Sequence, residues 1–267
     1  MYSKEVELED KERSDMSRTI MDSLEKGMFR VYFQPKVDIV TGKIRGAEAL
    51  VRLLDKEGKM ISPGRFIPLA EENGQILEID NFVYKETFRL MQKWQQEGEQ
   101  VPLISVNVSR LHLLQDELPQ YIKSLSDEYG LKPEQIELEI TESVFFQDTE
   151  RLVAIIKQMR DLGFVISMDD FGAGFSTLSL MKSLPVDVIK LDGSFFLKSE
   201  LDDKNKAVIA AMLHLAENLG FEVIAEGVEK KEQVDFIRGQ GGHLVQGYYY
   251  YKPMPADEFE KLLTEKK

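Results

Sequence analysis

Acidic and amide side chains recur in this sequence at one kind of place, inside or at the end of a short apolar run. Glu48 interrupts "IRGAEALVRL", Asn107 sits in "ISVNVS" and Glu139 in "IELEIT". Asp169 and Asp170 end "FVISMDD", and Lys190 sits in "VDVIKLD", with Asp192 close behind it. Glu226 ends "FEVIAEG", and Gln246 lies in "LVQGYYYY". Taken singly, an acid in such a place is an ordinary helix N-cap or loop residue, and "MDDFGAG" reads equally well as a capped turn. Taken together, the acids would crowd one site if their runs are the strands of one sheet. Burying several carboxylates side by side is very costly unless cations neutralise them. The joint pattern therefore points to a metal centre.

The donor types narrow the metal. Glu48, Asn107, Glu139 and Asp169 offer oxygen, and none of His112, His214 and His243 falls among the acids. Such a set suits Mg²⁺ or Mn²⁺ rather than Zn²⁺. Asp170, beside Asp169, can bridge to a second ion. Paired ions roughly 3.5–4 Å apart serve the hydrolysis of phosphate esters, because they stabilise the attacking and the leaving oxygen together. Lys190 is then placed to hold and orient a water, or else forms a salt bridge to a neighbouring acid. Glu226 is a candidate to accept the proton of that water.

Elements that can bring these residues together follow from the periodicity. Strand-like runs, "FRVYFQPKVDI" through "LVQGYYYY", alternate with helix-like runs such as "NFVYKETFRLMQKWQQEG" and "NKAVIAAMLHLAENLG", several of which end in glycine. About eight strands alternating with helices predict an α/β fold of the (β/α)8 barrel type, whose active sites lie at the C-terminal ends of the strands. An open doubly wound sheet is the alternative, weakened because no glycine-rich phosphate loop follows the first strand. A helix is expected from Met16, with residues 1–16 a lead-in or linker remnant and residues 17–267 the barrel.

Composition sets limits on partners. The chain has 267 residues, 43% apolar and 30% charged, which suits a soluble globular domain. It has no cysteine, so disulfides and thiolate metal sites are excluded. A net charge of −13 argues against a nucleic acid polymer as partner, since a basic face is expected there. No apolar run reaches the ~20 residues needed to cross a bilayer, so no direct membrane insertion is expected and a cytoplasmic location is the default.

The segments also carry a resemblance. "GAEALVR" around Glu48–Leu50 looks like the signature of the EAL-domain phosphodiesterases of cyclic di-GMP. "YFQPKVDIVTGKIRGAEALVR", "SVNVSR", "LEITES", "MDDFGAGFSTL", "LPVDVIKLDGSF", "IAEGVE" and "VQGYYYYKPMP" follow the same family in order. The resemblance implies a modified TIM barrel with an antiparallel first strand. It also implies metal-dependent hydrolysis of cyclic di-GMP to linear pGpG, with a catalytically weak receptor as the alternative.

In this reading two Mg²⁺ or Mn²⁺ ions are held by Glu48, Asn107, Glu139, Asp169 and Asp170. Lys190 contacts the water, and Glu226 is the general base or, alternatively, a further ligand. Gln34, Leu50, Arg52 and Gln246 line the substrate pocket. Glu142, Gly172, Gly174, Asp192 and Glu229 support the site and the loop after Asp170. The family's use of that loop implies a homodimer. The opening segment resembles the junction after a GGDEF domain, which implies an upstream GGDEF or sensor domain and a parent that can be membrane-tethered. Gly242 and His243 stand where the family usually has Cys and Asp.

Overall fold

In the computed structural model, residues 2–142, 144, 149–172, 185–196 and 202–264 are described. The strands are β1 (Phe29–Asp38), β2 (Ile44–Leu54), β3 (Met60–Ile61), β4 (Leu103–Asn107), β5 (Ile136–Thr141), β6 (Val165–Phe171), β7 (Val188–Leu191), β8 (Glu222–Ala225), β9 (Leu244–Val245) and β10 (Met254–Pro255). β1 and β2 form an antiparallel hairpin in which Gln34 faces Glu48. From β2 the sheet continues in parallel through β4, β5, β6, β7, β8 and β9. β9 then pairs back onto β1, antiparallel, and closes the ring. The fold is thus an α/β barrel in which the first strand runs against the others, while β3 and β10 extend it from the outside.

The helices that cover the ring are α1 (Tyr2–Glu25), α2 (Pro63–Asn73), α3 (Ile76–Gln96), α4 (Arg110–Leu113), α5 (Leu118–Glu128), α6 (Thr149–Asp161), α7 (Asp203–Leu219), α8 (Lys231–Gly239) and α9 (Ala256–Thr264). The first begins well before Met16, where the apolar period starts. No glycine or proline interrupts residues 2–25, so nothing in the chain stops the helix there. α2 carries Pro63 in its first turn and Pro68 within it. The first costs little, because the N–H it removes has no partner at a helix start. Gly174, named above as a support of the loop after Asp170, lies outside the described residues.

One expected strand is corrected. "LVQGYYYY" is extended at Leu244–Val245 alone, and the tyrosines turn. Tyr250 and Tyr251 donate their N–H groups back to the Gly247 carbonyl. A Cβ on Gly247 would lie 2.1 Å from the Val228 carbonyl oxygen, so the chain folds in against a neighbouring segment instead of running on. A run of bulky β-formers imitates a strand locally, and this tertiary contact overrides it.

The strands alternate in an unusual sense. In β5, Ile136, Leu138 and Ile140 belong to the main apolar core, while Glu137 and Glu139 are equally buried. Parity puts these acids on the opposite face, inside the ring. The same period places Val188, Ile224 and Leu244 two residues before Lys190, Glu226 and Gln246. These three, with Val165, form a small separate apolar cluster. The interior is therefore apolar towards the N-terminal ends of β7–β9 and polar above.

The outer layer is locked by aromatic contacts. Phe259 of α9 stacks on Phe33 of β1, with centroids 5.2 Å apart, and meets the Trp94 edge at 5.5 Å. Trp94 Nε1 and Lys93 Nζ both donate to Glu260. Replacing the fully buried Phe259 by alanine is expected to lower unfolding free energy by about 3–5 kcal/mol. Urea denaturation followed by far-UV circular dichroism reads this directly. A shift below about 1 kcal/mol would show that α9 does not bind the barrel through this cluster.

Candidate active site

At the C-terminal ends of the strands the inward side chains meet around one ammonium group. Lys190 of β7 is fully buried. Its Nζ lies 2.6 Å from Glu139, 2.8 Å from Glu226, 3.0 Å from Asp169 and 3.6 Å from Glu48. These acids come from β5, from the end of β8, from β6 and from β2. Strand parity and register explain the meeting: Glu48 pairs with Ser105, Asn107 with Glu139, and Glu139 with Ser167, which stands two residues before Asp169.

Asp169 and Asp170 are neighbours, so a regular strand would send them to opposite faces. The structure avoids this. The β6–β7 register shifts between Met168 and Phe171, and Asp170 adopts φ 56°, the one non-glycine residue with positive φ among those described. A bulge with a left-handed residue re-aims side chains at the strand end. As a result Asp169, Asp170 and Glu226 each present a carboxylate oxygen within 4.8 Å of one another. Asp170 N donates to Asp169 Oδ1, and Gly172 N donates to Glu142 Oε2, each at 3.0 Å.

A second buried lysine completes the network. Lys36 Nζ bridges Glu137 Oε2 and Glu139 Oε1, both at 2.9 Å. The two lysines face five carboxylates, those of Glu48, Glu137, Glu139, Asp169 and Glu226. Carboxylate charge is in excess, and the ionisation of the acids reflects it. Burial pushes Glu48 up to about 7, with Glu139 and Asp169 adding to the rise against Lys190. Burial, Asp169 and Asp192 push Asp170 up to about 6. Glu226 is raised well above the carboxylate range, chiefly by burial. Burial also acts on Glu139, but Lys190 and Lys36 outweigh it and hold this acid below its usual value. Protons thus relieve part of the excess, a task that a divalent cation performs when it displaces them.

The donor set fits hard divalent cations. It is all oxygen, and one buried acceptor, Gln246 Oε1, has no partner among the described residues. Gln246 Nε2 donates to Glu48 Oε2 at 2.6 Å and to Gln34 Oε1 at 3.2 Å, and Gln34 in turn donates to the Tyr251 carbonyl. Asn107 Nδ2 donates to Glu48 Oε1 at 2.9 Å. The amide nitrogen faces Glu48, so a cation shared by these two residues needs this amide turned over.

Space for a ligand lies beside the acids. A cavity of about 350 Å³ is lined by Glu48, Leu50, Asp169, Glu226, Glu229 and Gln246, among others. A larger one of about 810 Å³ shares Glu48 and Leu50 and adds Arg52, Asn107, Ile79 and Leu111. Arg52 donates to the Val51 carbonyl at 2.8 Å, and its guanidinium sits 5.7 Å from the Tyr32 ring centroid. Asp192 caps the turn that follows β7 by accepting from Ser194 N at 2.8 Å.

Lys36 and Glu137 were missed by reading strand ends alone. Their signal was parity: Lys36 stands two residues after Gln34, and Glu137 two before Glu139. Tyr84 was missed as well. Its hydroxyl donates to the Asn107 carbonyl at 3.2 Å from α3, a contact with no periodicity to announce it.

Comparison with known proteins agrees with this fold. The EAL domain family model matches residues 17–253. The oxygen sensor protein DosP of Escherichia coli (strain K12) is 36% identical over 93% of this chain and 31% of its own length. The probable cyclic di-GMP phosphodiesterase PdeB, also of Escherichia coli (strain K12), is 35% identical over 90% of the chain and 45% of its own. The solved PaMucR phosphodiesterase in complex with c-di-GMP superposes with a TM-score of 0.87 at 33% identity, covering 92% of this chain and 99% of that one. The chain thus spans less than half the length of these curated relatives.

The lysine bridge gives a stability prediction. Lys36→Met would leave Glu137 and Glu139 buried without it, at an expected cost of about 3–5 kcal/mol. Adding Glu137→Gln to that variant is expected to recover part of the loss. Guanidinium unfolding of the two variants tests this. Equal stability of Lys36→Met and the parent protein would mean that the bridge does not compensate the acids.

Proposed function

This chain belongs to the EAL-domain family, and from that premise we propose that it hydrolyses cyclic di-GMP to linear pGpG in a reaction dependent on two divalent cations, Mg²⁺ or Mn²⁺. The observation that carries the reading is the convergence of Asp169, Asp170 and Glu226 within 4.8 Å at the C-terminal mouth of the barrel. The c-di-GMP held by the similar PaMucR phosphodiesterase supports the choice of substrate.

Glu48, Asn107, Glu139, Asp169 and Asp170 would hold the ions. Such ions would offset the carboxylate charge and supply Lewis-acid stabilisation to the phosphoryl oxygens and the attacking water. The chain's own groups do the rest. Arg52, steadied by Tyr32 and the Val51 carbonyl, clamps a phosphate through its planar fork. Leu50 offers the apolar wall, and Gln34 and Gln246 face the substrate as a linked amide pair. Lys190, pinned between four acids, orients the water. Glu226, whose carboxylate lies 2.8 Å from Lys190 Nζ at the end of β8, takes the proton as the water oxygen attacks phosphorus. The P–O3′ bond breaks, the released 3′-oxygen takes a proton from solvent water while Glu226 returns its own to solvent, and the product keeps its 5′-phosphate. Glu142 and Asp192 hold the segments after β6 and β7, and Glu229 closes the pocket edge.

The family resemblance also supports a homodimer and an upstream GGDEF or sensor domain as features of the parent protein. Among the described residues no helix is long and apolar enough to cross a membrane.

The test is direct. Purified protein incubated with cyclic di-GMP and Mg²⁺ or Mn²⁺ should yield pGpG by ion-exchange chromatography, and a chelator should stop it. Glu48→Ala and Asp170→Asn are each expected to lower kcat about a hundredfold or more, since a lost ligand removes several kcal/mol of transition-state stabilisation. Tight binding of cyclic di-GMP with no product under any metal would make the chain a receptor instead.

A further inference from the structure

The opposite end of the barrel is open, which this architecture does not require. Inner layers of such barrels are normally filled by bulky branched side chains. Here a cavity of about 760 Å³ enters at the N-terminal ends of the strands. Gly46 stands at an inward position two residues before Glu48. A Cβ there would lie 2.7 Å from the Leu103 carbonyl oxygen, so the glycine lets the β4 backbone approach β2, and the Lys36 stem runs alongside with Cδ 3.6 Å from the same point. Ile44, Leu103, Leu262 and Leu263 give the cavity apolar walls.

Its polar groups are arranged by charge. Lys43 and Arg45 are exposed at the rim, and Glu222 is partly exposed. Lys36 and Glu137 also line the cavity and are buried, with 2% and 1% exposure. The lining therefore carries three cations against two acids, in a chain whose net charge is −13. Glu137 Oε2 is bound by Lys36, but the buried Glu137 Oε1 has no partner among the described residues. A buried carboxylate oxygen left unpaired is costly and calls for a donor.

We propose that this mouth is a second binding site, for an anionic ligand of nucleotide size that presents N–H donors to Glu137 and a phosphate to Lys43 and Arg45. A cavity of this volume exceeds what an amino acid or a bare anion fills and lies within the range of nucleotide-sized ligand sites. The apolar walls suit the faces of a base.

Occupancy reaches the carboxylate centre through a single atom. Lys36 Nζ is shared equally between Glu137 and Glu139, at 2.9 Å each. Donors supplied to Glu137 weaken its hold on Lys36, which then turns to Glu139. Glu139 becomes a poorer partner for a divalent cation. Ligand and metal therefore oppose each other, and by linkage each weakens the other by the same factor.

Guanosine monophosphate is a suitable probe, and calorimetry on the full chain is the measurement. Saturable binding is expected. The double charge reversal Lys43→Glu/Arg45→Glu, at exposed positions that leave the fold intact, should weaken binding about tenfold or more. Arg52→Ala at the other mouth should leave it unchanged, and inorganic phosphate should compete poorly. Mn²⁺ affinity, read by electron paramagnetic resonance, should fall about fivefold or more with the nucleotide present, and not in the charge-reversed variant. Absence of saturable binding would overturn the site, as would loss on Arg52→Ala without loss on charge reversal. Phosphate competing as well as the nucleotide would overturn the ligand class, and an unaltered Mn²⁺ affinity would overturn the Lys36 coupling. The nucleotide readouts use neither metal nor turnover and stand apart from the phosphodiesterase reading, whereas the Mn²⁺ readout rests on the metal site of that reading.

Discussion

Around Lys190 four carboxylates from four strands share one ammonium group inside a closed sheet. Like charges held this close in a poorly solvated interior repel strongly, and only compensation by cations or protons makes the arrangement tolerable. Lys190 and Lys36 supply part of it. The raised proton affinity of Glu48, Asp170 and Glu226 supplies another part, and the remainder is a standing demand for positive charge. This imbalance suits the site to cations, and with cations bound such a pocket is also one where a phosphate can approach acids.

Local backbone geometry turns that demand into a directed site. A regular β6 would present Asp169 inward and Asp170 outward, and the cluster with Glu226 would lose a member. The register shift after Met168 and the left-handed Asp170 prevent this. Strain of that kind costs about 1–3 kcal/mol and persists where surroundings over-determine it. Here the Asp169 carboxylate accepts the Asp170 N–H, and the Glu142 carboxylate accepts the Gly172 N–H just beyond.

The barrel interior is stratified as a result. Apolar Val188, Ile224 and Leu244 fill part of the lower layer, and acids and amides fill the upper one. On the β1–β5 side Lys36 spans the two levels, in contact with Glu137 below and Glu139 above. Both mouths of the ring therefore end on one connected set of ion pairs. Tyr84 and the outer helices act from behind, holding the backbone that carries the inner side chains.

Much of this was legible in the order of residues. Alternation of strand-like and helix-like runs pointed to a barrel ahead of an open doubly wound sheet, because period and spacing are local properties. Glu48, Asn107, Glu139, Asp169, Lys190 and Glu226 were legible as site residues because polar groups inside apolar runs need a reason. The family resemblance extended that set to Gln34, Leu50 and Arg52, and gave the antiparallel sense of the first strand. Other features were decided by tertiary contacts. The tyrosine run after Gly247 turns because Val228 lies across its path. Asp170 joins Asp169 because of a bulge that no local pattern marks. Lys36 and Glu137 matter because strands a hundred residues apart in sequence adjoin one interior, where charge must be balanced across the ring. The sequence alone determined which groups were available and, where a strand is regular, which of them share a face. Their pairing was left to closure of the barrel, since only closure sets distances between distant charges and removes the water that would otherwise screen them.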